Sequence, residues 1–212
     1  MKIWMLCGSP RPQRGNSMYL LEGLRDRLGP EQKVTIHRAA GEREAILEDL
    51  PNSGALVIAF PLYVDGLPSH LLGLLRWLQA AMPERQKPVK VYVIANNGFY
   101  EAEQNRAAID MVWKWCDACG LTRGRALAVG AGEMLQVAPL GRGPSTNAGK
   151  ALDQLAKDIL SGASGETMYI KPNFPRFLYR LAGQSGMRRT AKKNGLKASE
   201  VKAKIDPDEG GV

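Results

Sequence analysis

The sequence is poor in cysteine and histidine, with three cysteines and two histidines among 212 residues. Three cysteines are too few, and odd in number, for a disulfide framework, so we expect a reduced, cytoplasmic protein. A structural metal site needs about four ligands at suitable spacing. These residues supply no such set, and we expect no metal centre. Two isolated histidines and the absence of a Gly-x-Ser-x-Gly segment also argue against a hydrolase triad.

Long uncharged runs are equally scarce. The longest ends at Asp65, contains Pro61 and is too short to span a bilayer. The apolar stretch at 2–8 has no small-residue cleavage pattern, so it predicts a first strand rather than a signal peptide. A hydrophobic fraction of 44% and a charged fraction of 24% are typical of globular domains with a sizeable core.

Positive charge is concentrated near the C-terminal end. Residues 1–170 hold 19 basic and 17 acidic residues, whereas residues 171–205 hold ten basic residues against Glu200 alone. The net charge of +8 therefore belongs to a basic extension and not to the domain before it. A Gly- and Ser-rich stretch at 161–165 predicts a boundary between a domain at 1–163 and a basic C-terminal extension at 164–212.

Strand and helix patterns alternate along the domain. Apolar runs predict five strands, at 2–8, 34–38, 54–60, 89–94 and 126–129. Helical spacing and turn residues predict the helices between and after them, starting near 16, 42, 68, 103 and 147. This alternation predicts an α/β three-layer sandwich with a five-stranded parallel sheet. The flavodoxin-like strand order 2-1-3-4-5 suits it, with ligands at the carboxyl ends of the strands.

The first strand is followed by a polar loop from Gly8 to Ser17 that leads into a helix. Free N–H groups and the positive end of the helix dipole favour an anion there. Hydroxyl, amide and guanidinium groups of the loop would add donors, so the loop is a candidate phosphate cradle. An ordinary connecting loop remains the alternative. The spacing matches neither a nucleotide-triphosphate loop nor a dinucleotide fingerprint.

Three loops together resemble one family. Gly-Ser-Pro-Arg at 8–11 followed by Gly-Asn-Ser at 15–17 is similar to the phosphate loop of the NAD(P)H-dependent FMN reductase and iron–sulfur flavoprotein superfamily. Pro-Leu-Tyr at 61–63 resembles its second flavin loop, and 96–101 its third. The resemblance covers roughly 2–163 and implies the flavodoxin-like fold.

The resemblance also implies an activity and a set of site residues. It implies an oxidoreductase that passes hydride from NADPH or NADH through bound FMN to an unidentified small-molecule or redox-partner acceptor. The chemistry then rests on the flavin, with no catalytic side chain. The FMN phosphate is expected on Ser9, Arg11, Asn16 and Ser17. The flavin ring is expected against Pro61, Leu62, Tyr63, Val64, Asn96, Asn97, Gly98 and Phe99.

The chain departs from the family in one respect, and other functions stay open. No cysteine lies between Cys7 and Cys116, which removes the ligands of an iron–sulfur cluster. An electron carrier or flavin-binding module without its own NAD(P)H turnover is one alternative. A non-flavin interaction module acting through the basic tail is another. We expect a homo-oligomer, either a dimer or a tetramer.

Two further segments carry hypotheses. Cys116 and Cys119 form a Cys-x-x-Cys pair on an apolar helix face, which favours core packing over redox chemistry. In the extension, Phe177, Leu178 and Leu181 form an apolar stripe within basic surroundings. We expect an ordered arm packed on the domain or on a second subunit rather than a nucleic-acid tail. A lid or anion site near the cofactor, and a patch for a membrane surface or a nucleic acid, remain alternatives.

Overall fold

A computed structural model describes residues 1–11, 15–40, 43, 46–47, 53–81, 89–197 and 200. Its sheet has six strands, all parallel: β1 (Lys2–Cys7), β2 (Lys33–Arg38), β3 (Ala55–Pro61), β4 (Lys90–Asn96), β5 (Thr122–Val129) and β6 (Met168–Ile170). The longer helices are α1 (Asn16–Leu28), α2 (Ser69–Ala81), α3 (Arg106–Ala118), α4 (Thr146–Ser161) and α5 (Arg176–Lys193). The brief helix expected near 42–50 falls largely outside the described residues.

The sheet is covered on both faces because its strands are apolar at successive positions. In β1, Ile3, Met5 and Cys7 belong to the core shared with α1 and α4. Trp4 and Leu6 belong to the opposite core, shared with α2 and α3. Successive side chains of a strand point to opposite faces, so a continuously apolar run such as β3 is buried on both sides. The predicted three-layer sandwich is confirmed.

The strand order is β2-β1-β3-β4-β5-β6. The chain runs from β1 outward to β2 and then returns to the other side of β1 to form β3. This reversal leaves a crevice beyond the carboxyl ends of β1 and β3, the topological switch point of such sheets.

The prediction of five strands is wrong, because β6 adds a sixth at the edge of the sheet. Met168–Ile170 pairs in parallel with Leu127–Val129 of β5. The connection through α4 makes this pairing a β-α-β unit, which closes in parallel. The strand is only three residues long and half-buried, so it has no periodicity to reveal it. It lies within the stretch that we had assigned to the extension.

The chain divides into two compact units, Met1–Asn173 and Phe174–Val212. The first unit contains the sheet and helices α1 to α4. The second contains α5, an 18-residue helix in which Ala191 is the one buried residue. Within the described part of the chain, no helix is both long and apolar enough to cross a membrane.

The cysteines of the Cys-x-x-Cys segment lie at the C-terminal end of α3. Cys116 is fully buried in the core beneath α2 and α3, and Cys119 packs against that core. Neither thiol forms a disulfide, nor does that of Cys7. Burial raises the pKa of Cys116 to about 12. This environment fits the core-packing interpretation of the pair.

Candidate functional site

A cleft of about 410 Å³ opens at the carboxyl ends of β1, β3, β4 and β5. Four loops form it, one from each strand. Ten of the twelve residues expected at a cofactor site line the cleft: Ser9, Arg11, Asn16, Ser17, Pro61, Leu62, Tyr63, Asn96, Asn97 and Gly98. The expected site is therefore one place in the fold, assembled from segments that are distant in sequence.

Val64 and Phe99 are not brought into the lining. Val64 is wholly exposed at a loop tip, and the side chain of Phe99 is 56% exposed. Both remain predicted contacts to a ligand that extends beyond the cleft. Residues 12–14 of the first loop lie outside the described residues, so the position of Arg14 is not part of this description.

The first loop leads into α1 through Gly15, not through a side-chain cap. Gly15 is the N-cap, and no described side chain caps the first turn. The helix's first internal bond runs from the Tyr19 N–H to the Gly15 carbonyl. The N–H groups of Asn16, Ser17 and Met18 therefore have no partner within the helix. A Cβ at Gly15 would lie 3.3 Å from Ser9 Oγ, so glycine lets the loop close tightly.

The Ser17 hydroxyl, at the start of α1, is hydrogen-bonded by the last residue of β4. Asn96, the last residue of β4, donates from Nδ2 to Ser17 Oγ at 2.9 Å and to the Phe60 carbonyl at 3.0 Å. Both Asn96 and Ser17 are almost completely buried. Since the Ser17 oxygen accepts this bond, its own hydrogen is left to donate to another acceptor. Ser17 lines the cleft, so that acceptor can be a ligand.

Asn16 connects α1 to the loop after β5. Its Nδ2 donates to the Gly132 carbonyl at 2.9 Å, and its Oδ1 accepts from Gln136 at 2.8 Å. Gly132, Glu133 and Gln136 also line the cleft, as does Gly15. None of these four was among the expected site residues. The strand end at 129–130 indicated the loop, but its polar side chains carried no motif.

The loops after β4 and β5 are locked to each other by backbone contacts. The Gly132 N–H donates to the Asn97 carbonyl at 2.7 Å, and the Ala131 N–H donates to Phe99. A Cβ on Gly130 would lie 2.3 Å from the Tyr100 carbonyl oxygen, so only glycine permits this approach. This side of the cleft is consequently preformed.

The loop after β3 ends in a tight turn. The N–H groups and carbonyls of Tyr63 and Gly66 bond each other at 3.1 and 2.9 Å. Between them, Val64 and Asp65 have φ values of 47° and 56°. Left-handed backbone is unfavourable for a β-branched residue such as valine. Strain of this kind tends to gather at functional sites.

The electrostatics of the cleft favour an anion at the first loop. Arg11 is exposed at its edge. The Arg38 guanidinium, at the end of β2, donates to the Arg11 carbonyl at 2.9 Å and brings a second positive charge to the loop. Burial raises the pKa of the neighbouring Cys7 thiol. Glu133 is the one acidic residue in the lining.

Asn97 presents an acceptor that the protein does not satisfy. Its Nδ2 donates to the Glu101 carbonyl at 3.1 Å. Its Oδ1 is buried and has no partner among the described residues. A buried acceptor left without a donor costs about 1–3 kcal/mol.

No group of three or more metal-ligating side chains occurs in the described ranges of the chain.

The sequence matches no family model and no curated protein. Solved structures do match. A flavodoxin from Streptococcus pneumonia TIGR4 is 15% identical, with a TM-score of 0.57, over 77% of this chain and 100% of that one. An NAD(P)H:quinone oxidoreductase from Methanothermobacter marburgensis is 14% identical, with a TM-score of 0.55, over 73% and 96%.

A third match is an FMN-dependent NADH-azoreductase from Bacillus anthracis str. Ames Ancestor, solved in complex with FMN. It is 11% identical, with a TM-score of 0.54, over 74% of this chain and 98% of that one. Likeness at such low identity establishes architecture alone, and it agrees with the sheet order and helix layers described above. This chain has the flavodoxin-like fold.

Proposed function

We propose that the cleft binds FMN and that the protein is an oxidoreductase that takes hydride from NADPH or NADH. The observation that carries the proposal is the set of donors at the start of α1 that have no partner among the described residues. Asn16 and Ser17 of its first turn line the cleft together with Ser9. A phosphate dianion is the ligand that such a set fits best.

The rest of the lining fits a flat ring with polar edges. Pro61 and Leu62 supply apolar surface beside the Tyr63 ring. Asn97, in the same lining, would meet the polar edge of the ring. Apolar walls with a few placed polar groups are typical of cofactor sites. Phosphate donors and ring contacts in one cleft match a flavin mononucleotide.

FMN, when bound, accepts two electrons as hydride and passes them on to an acceptor. The protein's part is to bind and orient it. Arg11 and the nearby Arg38 would neutralise the phosphate charge, and Asn96 would keep the Ser17 hydroxyl directed at it. The loops at 97–99 and 130–132, already bonded to each other, would hold the ring edge without rearrangement.

The solved structures give independent support. One matching chain is described as an FMN-dependent azoreductase bound to FMN, and another as an NAD(P)H:quinone oxidoreductase. We infer a small-molecule or redox-partner acceptor and a homo-oligomeric assembly.

The first test is to purify the protein and record its visible absorption spectrum before and after incubation with FMN. The ligand released by heat is then identified by mass. FMN bound at one site per chain, with NADPH or NADH oxidised in the presence of a quinone, is the expected result. Absence of flavin binding after reconstitution overturns the proposal.

The matching flavodoxins favour a second candidate, an electron carrier. A carrier would bind FMN but would not oxidise NADPH or NADH. Anaerobic reduction distinguishes the two: rapid bleaching of the flavin by NAD(P)H supports the reductase, and bleaching by dithionite alone supports the carrier.

A further inference from the structure

The helix α5 combines exposed apolar and cationic side chains on one face. Residues 177, 181, 185, 188 and 192 follow one another at spacings of three or four and therefore share a face. Phe177 and Leu181 are 64% and 57% exposed. Arg188 and Lys192 continue the same row and are exposed as well. The face is thus apolar in its first half and cationic in its second.

The chain after α5 adds to the cationic half. The helix ends in a turn in which the Leu196 N–H donates to the Ala191 carbonyl at 2.9 Å and Gly195 has a φ of 80°. This is the Schellman pattern, which reverses the chain direction. It brings Leu196 and Lys197 beside the helix. Together they form an open concavity with Ser185, Arg188, Arg189 and Lys192.

Among the described residues next to this concavity there is one acid, Glu200, whose carboxylate accepts a hydrogen bond from the Lys197 N–H at 2.6 Å. From Lys171 to residue 199 there are eight basic residues and no Asp or Glu. A partner that offers negative charge and an apolar phase together would match both halves of this face. An anionic lipid surface offers both. A nucleic acid offers the charge, but Phe177 and Leu181 would gain little from its backbone.

We propose that α5 docks on anionic lipid bilayers. The first half of the helix, with Phe177 and Leu181, enters the boundary between headgroups and acyl chains. The concavity of Arg188, Arg189, Lys192 and Lys197 contacts the phosphate groups. The basic residues at the C-terminal end of α5 also face the negative end of the helix dipole, which favours them there. This binding is argued from residues of the second unit alone and does not rest on the proposed function.

The experiment is sedimentation of the full-length protein with sucrose-loaded vesicles. Vesicles of phosphatidylcholine alone are compared with vesicles that also contain phosphatidylglycerol, at low and at physiological salt. We expect binding to the anionic vesicles that weakens with salt, and little binding to the neutral ones. Equal binding to both, or none to either, overturns the proposal.

Two variants test the two halves of the face. Arg188→Gln, Arg189→Gln and Lys192→Gln together should lower the partition coefficient by roughly 100-fold, since each cation near an anionic surface contributes about fivefold. Phe177→Ser with Leu181→Ser should lower it by at least tenfold. The matched control is Lys114→Gln, Lys150→Gln and Lys157→Gln, which removes the same charge from the exposed surface of the first unit. Equal loss in the control would show that net charge alone drives binding and would overturn the assignment to α5.

A duplex DNA titration at the same two salt concentrations completes the test. We expect weak DNA binding. The triple substitution in α5 and the control triple substitution should reduce it equally, as expected if positive charge alone causes it. Tight DNA binding that the α5 triple alone abolishes, without vesicle binding, would replace the lipid surface with nucleic acid. Circular dichroism and thermal unfolding confirm that each variant is folded.

Discussion

The side-chain amide of Asn96, at the end of β4, donates a hydrogen bond of 2.9 Å to the hydroxyl of Ser17 in the first turn of α1. Two residues that are far apart in sequence thus set the direction of one hydroxyl hydrogen. The bond links the sheet to the helix N-terminus where we propose that a phosphate binds.

Ser17→Ala removes a donor to that phosphate. Hydrogen bonds to charged groups contribute about 1.5–3 kcal/mol, so FMN affinity should fall roughly 10- to 150-fold. Fluorescence quenching of added FMN measures the change. Ser145→Ala is the control, because Ser145 is equally buried and bonds only backbone carbonyls, including Leu135 at 2.9 Å. Its affinity for FMN should be unchanged; equal losses in both variants would mean that the phosphate lies elsewhere.

Gly130→Ala should destabilise the protein by about 1–3 kcal/mol or more, because the new Cβ would meet the Tyr100 carbonyl at 2.3 Å. Urea unfolding measures the free energy of unfolding. Gly73→Ala is the matched control, since Gly73 lies in α2 with nothing within 4 Å of the added atom. Alanine in an exposed helix should raise stability by about 0.5–1 kcal/mol. A neutral Gly130→Ala would contradict the close packing of the two loops.

Asp158→Asn should cost about 2–4 kcal/mol, because it breaks a buried ion pair and leaves Arg125 without its partner. The carboxylate of Asp158, in α4, lies 2.8 Å from Arg125 Nε of β5, and its side chain is 7% exposed. The comparison is Asp153→Asn, which breaks a pair with Arg27 on the surface, where the Asp153 side chain is 57% exposed. That change should cost at most about 1 kcal/mol. Thermal unfolding of both variants measures the two losses of stability, and equal losses would contradict the greater importance of the buried pair.

Stability should fall as the pH rises above about 9. The buried thiol of Cys116 has its pKa raised from 9.0 to about 12, and the buried phenol of Tyr92 from 10.0 to about 12. In the unfolded chain both groups lose their protons at lower pH than in the folded protein. The stabilisation of the folded state by these two protonated groups is therefore complete below the unfolded pKa values and is lost as the pH rises towards 12. Unfolding measured from pH 8 to 11 should show this loss, and Cys116→Ala should reduce its slope. If stability falls with pH as steeply in Cys116→Ala as in the unmodified protein, the proposed contribution of the Cys116 thiol is contradicted.

The same burial predicts a structural role for the cysteine pair. Cys116→Ala with Cys119→Ala should lower the free energy of unfolding by about 1–2 kcal/mol through lost packing. Flavin binding and NAD(P)H oxidation should be unaffected. Loss of turnover in a folded, FMN-loaded double variant would restore the redox interpretation.

The sequence predicted those parts of the fold and site that rest on long patterns or on strand ends. Buried runs such as 54–60 located the central strands, and the loops that follow them located Ser9, Leu62 and Asn96. The missed parts depend on tertiary contact alone. The strand at 168–170 becomes recognisable only through its pairing with β5. Gln136 and Arg38 enter the site through single hydrogen bonds across the fold, for which a sequence carries no spacing rule.

The turn at 63–66 has a consequence for engineering. Within the described residues, its two reciprocal bonds close it on itself, and Val64 at its tip contacts almost nothing. Its sequence can therefore be varied without disturbing the sheet or the loops that would hold the phosphate. Because positions 64 and 65 have left-handed backbone, glycine or asparagine at either should be accepted readily. A library limited to positions 64 and 65 would change the rim of the cleft, and under the proposed function the surface offered to an acceptor, on an otherwise constant scaffold.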